Sequence, residues 1–274
     1  MSHAATLAFR RRGLVAKKSF GQNFLVDSGL ARRIAELAVP ESAGTVVEIG
    51  AGLGALTEPL VNRADRVVAI ERDRDLCPIL RDAFAETIAT GKLAIEEADA
   101  KRIDLENLFA PGPRPHVLAG NLPYQLTGPL LERTTALGGV IDRAVFMVQA
   151  EVADRLLASP SSDAYGALTV FTSAAFGIAR PLTVGRGAFH PRPRVDSAVV
   201  VMTPLRPPRA LETDRFRAAV RAAFAQRRKT LRNAWSKLGS AAEVAQRARA
   251  AGIDLDRRGE TLSVEEFAKF AESR

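Results

Sequence analysis

Apolar positions follow two rhythms along the chain. Through the first two thirds, short runs of branched residues bounded by Gly, Pro, Asp or Asn alternate with segments of helical period. "TVVEIG" (45–50), "RVVAIE" (66–71), "LAIEEAD" (93–99), "HVLAGN" (116–121) and "RAVFMVQ" (143–149) have the length and composition of strands. Helical patterns such as "LTEPLVNR" and the run from Asp73 to Thr90 lie between them. Strict alternation of this kind predicts right-handed crossovers and a parallel sheet covered on both faces, a doubly wound α/β domain.

Further elements flank this core. In "DSGLARRIAELA", Asp27 is placed to cap a helix that carries Leu30, Ile34 and Leu37 on one face and stops at Pro40. "AYGALTVFTSAAF" (164–176) reads as another helix, and "SAVVVMTP" (197–204) as a late strand that suits an antiparallel position. "PLRPPRALETD" then has the proline-rich composition of a linker. Beyond Thr213 only helical patterns follow: "DRFRAAVRAAFAQRRKTLRNAWSKL", "AAEVAQRARAAG" and "VEEFAKFAES". The expected division is a larger domain over 1–204 and a small all-helical domain over 205–274.

Charge sharpens that division. Residues 1–24 carry +5, 25–204 carry −4 and 205–274 carry +7. General solubility accounts for the total of +8 but not for basic ends around a mildly acidic middle. Clustered Lys and Arg gain by releasing phosphate counterions, so the pattern favours a nucleic acid partner. No apolar run approaches 18 residues and the N-terminus lacks a signal core, so we expect a cytoplasmic protein with no membrane partner. The lone Cys77 and three scattered histidines argue against a disulfide and against a metal site.

Candidate chemistry begins at "VVEIGAGLGALTEPL" (46–60), a strand, a glycine turn and a helix. Gly50 and Gly52 let a ligand approach backbone amides at a helix start. Glu71 ends the next strand, where a carboxylate can take both hydroxyls of a ribose. Such a turn also fits a nicotinamide dinucleotide. Glu48 ahead of the turn and Asp99 in "EADA", beside Ala100, favour S-adenosylmethionine, although Asp99 would equally cap a helix over "AKRIDLENL".

"GNLPYQLT" (120–127) ends the fourth strand. An exocyclic adenine amine is a poor nucleophile because its lone pair is delocalised into the ring. The side-chain carbonyl of Asn121 and the backbone carbonyl of Leu122 can accept its two hydrogens, Pro123 restrains both, and Tyr124 offers a stacking face worth roughly 1–3 kcal/mol. A simple Asn-x-Pro turn is the bland alternative. "FHPRPRVDSAVV" (189–200) presents Phe189 from a stiff loop with Arg192 and Arg194 facing phosphate, and "QRRKTLRN" gathers Arg227, Arg228, Lys229 and Arg232. "SFGQNFL" is either a mobile arm that brings Gln22 and Asn23 over the cofactor or a core-packing tail.

Taken with "KKSFGQNFL", "IERD", "FMVQAEVADRL", "AYGALTV" and "AFAQRRKTLRN", these motifs resemble the 16S ribosomal RNA small-subunit adenine N6-dimethyltransferases, in the family order from about residue 13 to the end. The resemblance implies a Rossmann-like class I methyltransferase fold and S-adenosylmethionine contacts from Asn23, Leu25, Gly50, Glu71, Asp99 and Asn121. It also implies that residues 121–124 hold the target amine, with Phe189 stacking on the base opposite Tyr124. The implied reaction places two methyls on each of two adjacent adenosines near the 3′ end of 16S rRNA in the immature small subunit, during ribosome biogenesis; we expect a monomer. Ala51 and Gln125-Leu126 depart from the family's usual Pro and Asn-Ile or Asn-Val. Rival readings are a resistance-type 23S rRNA methyltransferase, a DNA adenine methyltransferase, an assembly factor that mainly binds, and a dehydrogenase.

Overall fold

The computed structural model describes residues 3–17, 20–41 and 44–273; Lys18 and Ser19 of the "KKSFGQNFL" motif lie outside them. The chain forms two compact units, Met1–Ala153 with Ala179–Thr203, and Asp154–Ile178 with Pro204–Arg274.

The first unit opens with α1 (His3–Arg11), β1 (Phe24–Leu25), α2 (Ser28–Ala38), β2 (Thr45–Ile49), α3 (Thr57–Val61) and β3 (Arg66–Glu71). It continues with α4 (Leu76–Ala83), α5 (Ala85–Ala89), β4 (Leu93–Glu97), α6 (Leu105–Phe109), β5 (His116–Asn121), α7 (Thr127–Thr135) and β6 (Arg143–Gln149). After α8 (Ala150–Leu156) and α9 (Ala167–Ala175), the chain adds β7 (Phe176–Val184), β8 (Phe189–His190) and β9 (Ser197–Pro204). Among the described residues, seven strands make one sheet in the order β4-β3-β2-β5-β6-β9-β7. β2 pairs in parallel with both β3 and β5, placing Glu48 between Ala69 and Ala119. The chain builds outwards to β4 and then returns to β5, so the crevice beyond the carboxyl ends of β2 and β5 is a switch point, where such sheets bind ligands.

All five expected parallel strands are present, and β9 runs antiparallel to β6 as its position suggested. Asp27 caps α2, its side chain accepting from the Leu30 amide at 2.9 Å. β7 was not expected because Pro181 interrupts it. It is an edge strand of the sheet, the position where a strand tolerates proline. Helix α1, which the sequence reading passed over, packs Ala5 and Phe9 into a cluster with Phe24, Leu53, Leu76 and Ile79. The Phe9 and Phe24 rings meet edge to face at 5.6 Å.

The second unit contains α10 (Asp214–Ala225), α11 (Leu231–Ala234), α12 (Ala241–Ala251) and α13 (Val264–Glu272). The expected long helix over 214–238 is broken. Gln226 leaves helical geometry, Thr230 bridges to Arg258, and the Leu231 amide binds the Arg257 carbonyl at 2.8 Å. The break folds Trp235 back onto α10, where its indole donates to the Ala219 carbonyl at 2.9 Å and its ring stacks on Phe270 at 3.8 Å. Burial of the largest side chain thus overrides local helix preference. The boundary expected at 204 left 154–178 with the first domain. In the structure Tyr165, Val170, Phe171 and Ala174 share one apolar cluster with Phe216, Val220 and Phe267. No helix among the described residues is long and apolar enough to cross a membrane.

Gly54 closes the turn after β2 at φ +75°, and a Cβ there would sit 2.5 Å from the Phe84 ring. Gly91 has the same φ with nothing within 4 Å of such a Cβ. Gly54→Ala is therefore expected to lose on the order of 2–4 kcal/mol of stability, and Gly91→Ala about 1 kcal/mol. Equal shifts in denaturant midpoint for the two variants would refute the packing contribution.

Candidate active site

A cleft opens at the carboxyl ends of β2, β3, β4 and β5, with about 1240 Å³ of atom-free space including its mouth. Its walls are the glycine turn, Glu71 and Arg72, Asp99 and Ala100, the segment Asn121–Leu126, and the arm Phe20–Leu25. Gln22, Asn23, Leu25, Gly50, Gly52, Glu71, Asp99, Ala100 and Asn121 all line it, as do Leu122, Pro123 and Tyr124. Every cofactor candidate drawn from the sequence therefore meets in one place.

The turn is built for close approach. Gly50 and Gly52 adopt φ of +77° and +59°, and a Cβ on Gly50 would meet only the Asn121 carbonyl, at 3.6 Å. Glu71 holds the turn to the next strand, accepting from the Gly52 amide at 2.8 Å and from the Asp73 amide at 2.7 Å. Burial raises its carboxyl above the ordinary range, and these amide bonds counter that rise.

Sequence reasoning missed the next layer. Asp73, 2% exposed, accepts from Lys17 Nζ at 2.5 Å and from Gln22 Nε2 at 2.7 Å. Burial alone would raise the Asp73 carboxyl, but those two bonds hold it below the usual carboxylate range. The arm is thus packed against the body by both Phe24 and this ionic group. Its sequence signal was the motifs "KKSFGQNFL" and "IERD", which hold Lys17, Gln22 and Asp73 but do not say that they meet. Arg133 of α7 likewise pins the loop after β4, donating to the carbonyls of Ala100 and, at 2.7 Å, Ile103.

Asp99 does not cap a helix. Its carboxylate accepts from the Lys101 amide at 3.0 Å in a tight turn, and Asp104 is the cap of α6. Glu48, ahead of the turn, is 1% exposed at the floor of the cleft and accepts from Thr57 Oγ1 at 2.6 Å, bracing the turn from beneath. Burial pushes its pKa up to about 7.

At the end of β5, Asn121 Nδ2 donates to the Asn23 carbonyl at 3.2 Å, which leaves Oδ1 as the outward acceptor. The Leu122 side chain is 1% exposed and its amide binds the Met147 carbonyl at 3.1 Å. The Pro123 carbonyl accepts from the Leu126 amide and from Thr127 Oγ1, so the clamp backbone is fastened on both sides. The Tyr124 hydroxyl lies 3.2 Å from Ser197 Oγ of β9, and partial burial raises its pKa.

Phe189 belongs to β8. It does not line the cleft; it is 5% exposed in the main core, on β8, which pairs Phe189 with Leu25 of β1. A large ring beside that pairing is buried more favourably than exposed. Its backbone pairing there supports the arm. Of the basic candidates, Arg192, Arg194, Arg228 and Lys229 are exposed, whereas Arg227 pairs with Glu260 at 2.6 Å and Arg232 with Asp256 at 3.1 Å.

Residues 13–273 match the family model described as ribosomal RNA adenine dimethylase. The chain belongs to this family. It is 42% identical over 265 residues to the ribosomal RNA small subunit methyltransferase A of Geobacter metallireducens, covering 94% of this chain and 95% of that one. Among solved structures, a dimethyladenosine transferase from Plasmodium falciparum superposes with a TM-score of 0.72 at 23% identity, over 90% of this chain and 95% of that one. The 23S rRNA methyltransferase ErmE gives 0.65 at 26% identity, over 91% and 98%. With the family in place, the cleft is that of a class I methyltransferase, and S-adenosylmethionine is the cofactor its turn and carboxylates fit.

The Glu48 carboxyl sets a pH dependence. Its pKa is about 7 in the fold against an ordinary 4.5, so the folded state holds a proton that the unfolded state releases between those values. Stability is expected to fall as pH rises from about 4.5 through 7, by on the order of 3 kcal/mol, and then level off. Glu48→Gln should flatten most of that slope in urea titrations across this range; an unchanged slope would contradict the assignment.

Proposed function

We propose that the protein dimethylates the N6 amine of two adjacent adenosines near the 3′ end of 16S rRNA, in the cytoplasm, on the immature small subunit. The observation that carries the reading is the clamp at Asn121–Tyr124 opening into the same cleft as the glycine turn and Glu71. The 42% identity to a small-subunit enzyme supports the choice of RNA over the large-subunit alternative.

S-adenosylmethionine, when bound, supplies an electrophilic methyl group. Gly50, Gly52, Glu71, Asp99 and the arm residues Gln22, Asn23 and Leu25 are the groups that would hold it. The Asn121 Oδ1 and the Leu122 carbonyl accept the amino hydrogens of the adenine, which draws the nitrogen lone pair out of conjugation. Tyr124, its hydroxyl tethered to Ser197, keeps its ring in place as a platform for a base taken out of its stack. Nothing in this sequence of events calls for a strong base; positioning and fixed polar groups carry it.

Labelled S-adenosylmethionine incubated with unmodified small subunits, large subunits and naked RNAs should give dimethyladenosine from the small subunit and none from the large subunit. Asn121→Ala should lower the rate about 100-fold, the usual effect of removing one preorganised polar contact. Label confined to large-subunit RNA would move the protein to the resistance class. Absence of label together with tight particle binding would leave an assembly factor.

The exposed arginines and Lys229 are proposed to neutralise RNA phosphates. Replacing Arg192 and Arg194 by alanine should reduce the slope of log affinity against log salt by about 2, with little change in sequence preference. An unaltered slope would remove that loop from the RNA contact.

A further inference from the structure

The arm that carries Gln22 and Asn23 is tied at two points. At one end Lys17 Nζ reaches Asp73 at 2.5 Å and Asp75 at 2.6 Å, while Gln22 Nε2 reaches the other oxygen of Asp73 at 2.7 Å. The Lys17 amide also donates to Gln22 Oε1 at 2.8 Å, closing the segment on itself. On the residue after Gln22, the Asn23 carbonyl accepts from the Asn121 side-chain amide at 3.2 Å. That second tie decides which atom of Asn121 faces outward.

The first tie is joined to the cofactor wall. The backbone amide of Asp73 donates to Glu71, whose other oxygen holds Gly52. One short turn therefore holds both the carboxylate placed for a ribose and the anion that seats the arm. We propose that Asp73 is a positioning residue for methyl transfer: paired with Lys17 it forms an ionic latch that seats the arm, and the seated arm orients the Asn121 amide. The inference rests on the function proposed above and adds a residue outside the cleft lining. Lys17 keeps 35% of its side chain exposed, so the latch is open to exchange and to screening by salt.

Calorimetric titration of S-adenosylmethionine into RNA-free protein, at low and high salt, tests this with Lys17→Met, Asp73→Asn, the double variant and Lys17→Arg. Lys17→Met should weaken cofactor binding about tenfold, the scale of one charge-assisted hydrogen bond, and remove the salt dependence of the latch, while Asp73→Asn should weaken binding comparably but keep part of that dependence through Lys17 and Asp75. The double variant should be no worse than either single one, and Lys17→Arg should restore most of the loss. Trypsin should cut cofactor-free Asp73→Asn after Lys17 faster than the parent, while kcat falls in step with the loss of the latch. Should Asp73→Asn fail to fold, Lys17→Met decides alone, because its side chain lies at the surface. Parent-like binding and turnover in Lys17→Met, or additive losses in the double variant, overturn the latch while leaving the enzyme reading intact. A parent protein that binds no S-adenosylmethionine would sink both.

Discussion

The carboxylate of Glu71, shared between the amides of Gly52 and Asp73, is the interaction on which the site depends. It joins the turn after the first parallel strand to the turn after the second, and so sets the spacing between two walls of the cleft. The sheet brings those strand ends side by side, but strand pairing alone leaves the loops beyond them free to diverge. A buried anion with two backbone donors removes that freedom. It also remains able to accept further hydrogen bonds, since a carboxylate has more lone pairs than two amides consume.

Much of the site builds outward from this point through hydrogen bonds of modest individual strength. Asp73 extends it to the arm, the arm extends it to Asn121, and Arg133 fastens the loop of Asp99 and Ala100 from the opposite side. Beneath the turn, Glu48 and Thr57 form a second buried polar pair. Buried groups of this kind cost stability when incompletely partnered. Here nearly every oxygen named has a donor, which is consistent with a cleft shaped before its ligands arrive.

The alternating apolar runs made the five parallel strands legible almost residue by residue, because strands buried on both faces carry a strong local signal, whereas the edge strand β7 was missed. The glycine turn, Glu71, Asp99 and Asn121–Tyr124 were legible for a related reason: each sits at the end of such a run. What escaped depended on distance in sequence. Nothing local distinguishes Asp73 or Arg133 from surface charges, and their burial becomes visible only once the arm or α7 is docked. The burial of Phe189 was hidden for the same reason, since a phenylalanine in a proline-rich loop looks exposed until its pairing with Leu25 is known. Trp235 broke a helix that its neighbours alone would have continued.

The two-residue ladder between Phe24–Leu25 and Phe189–His190 has a further consequence for biosynthesis. The arm leaves the translating ribosome ahead of every strand of the sheet, yet its partner strand emerges only after the greater part of that sheet has been made. The ordinary order of domain folding during synthesis, amino end first, is therefore inverted for this wall. The nascent protein has the partners that seat the arm at Asp73 and Asn121 before β8 exists, and the ladder that completes this wall is the last of its ties to form.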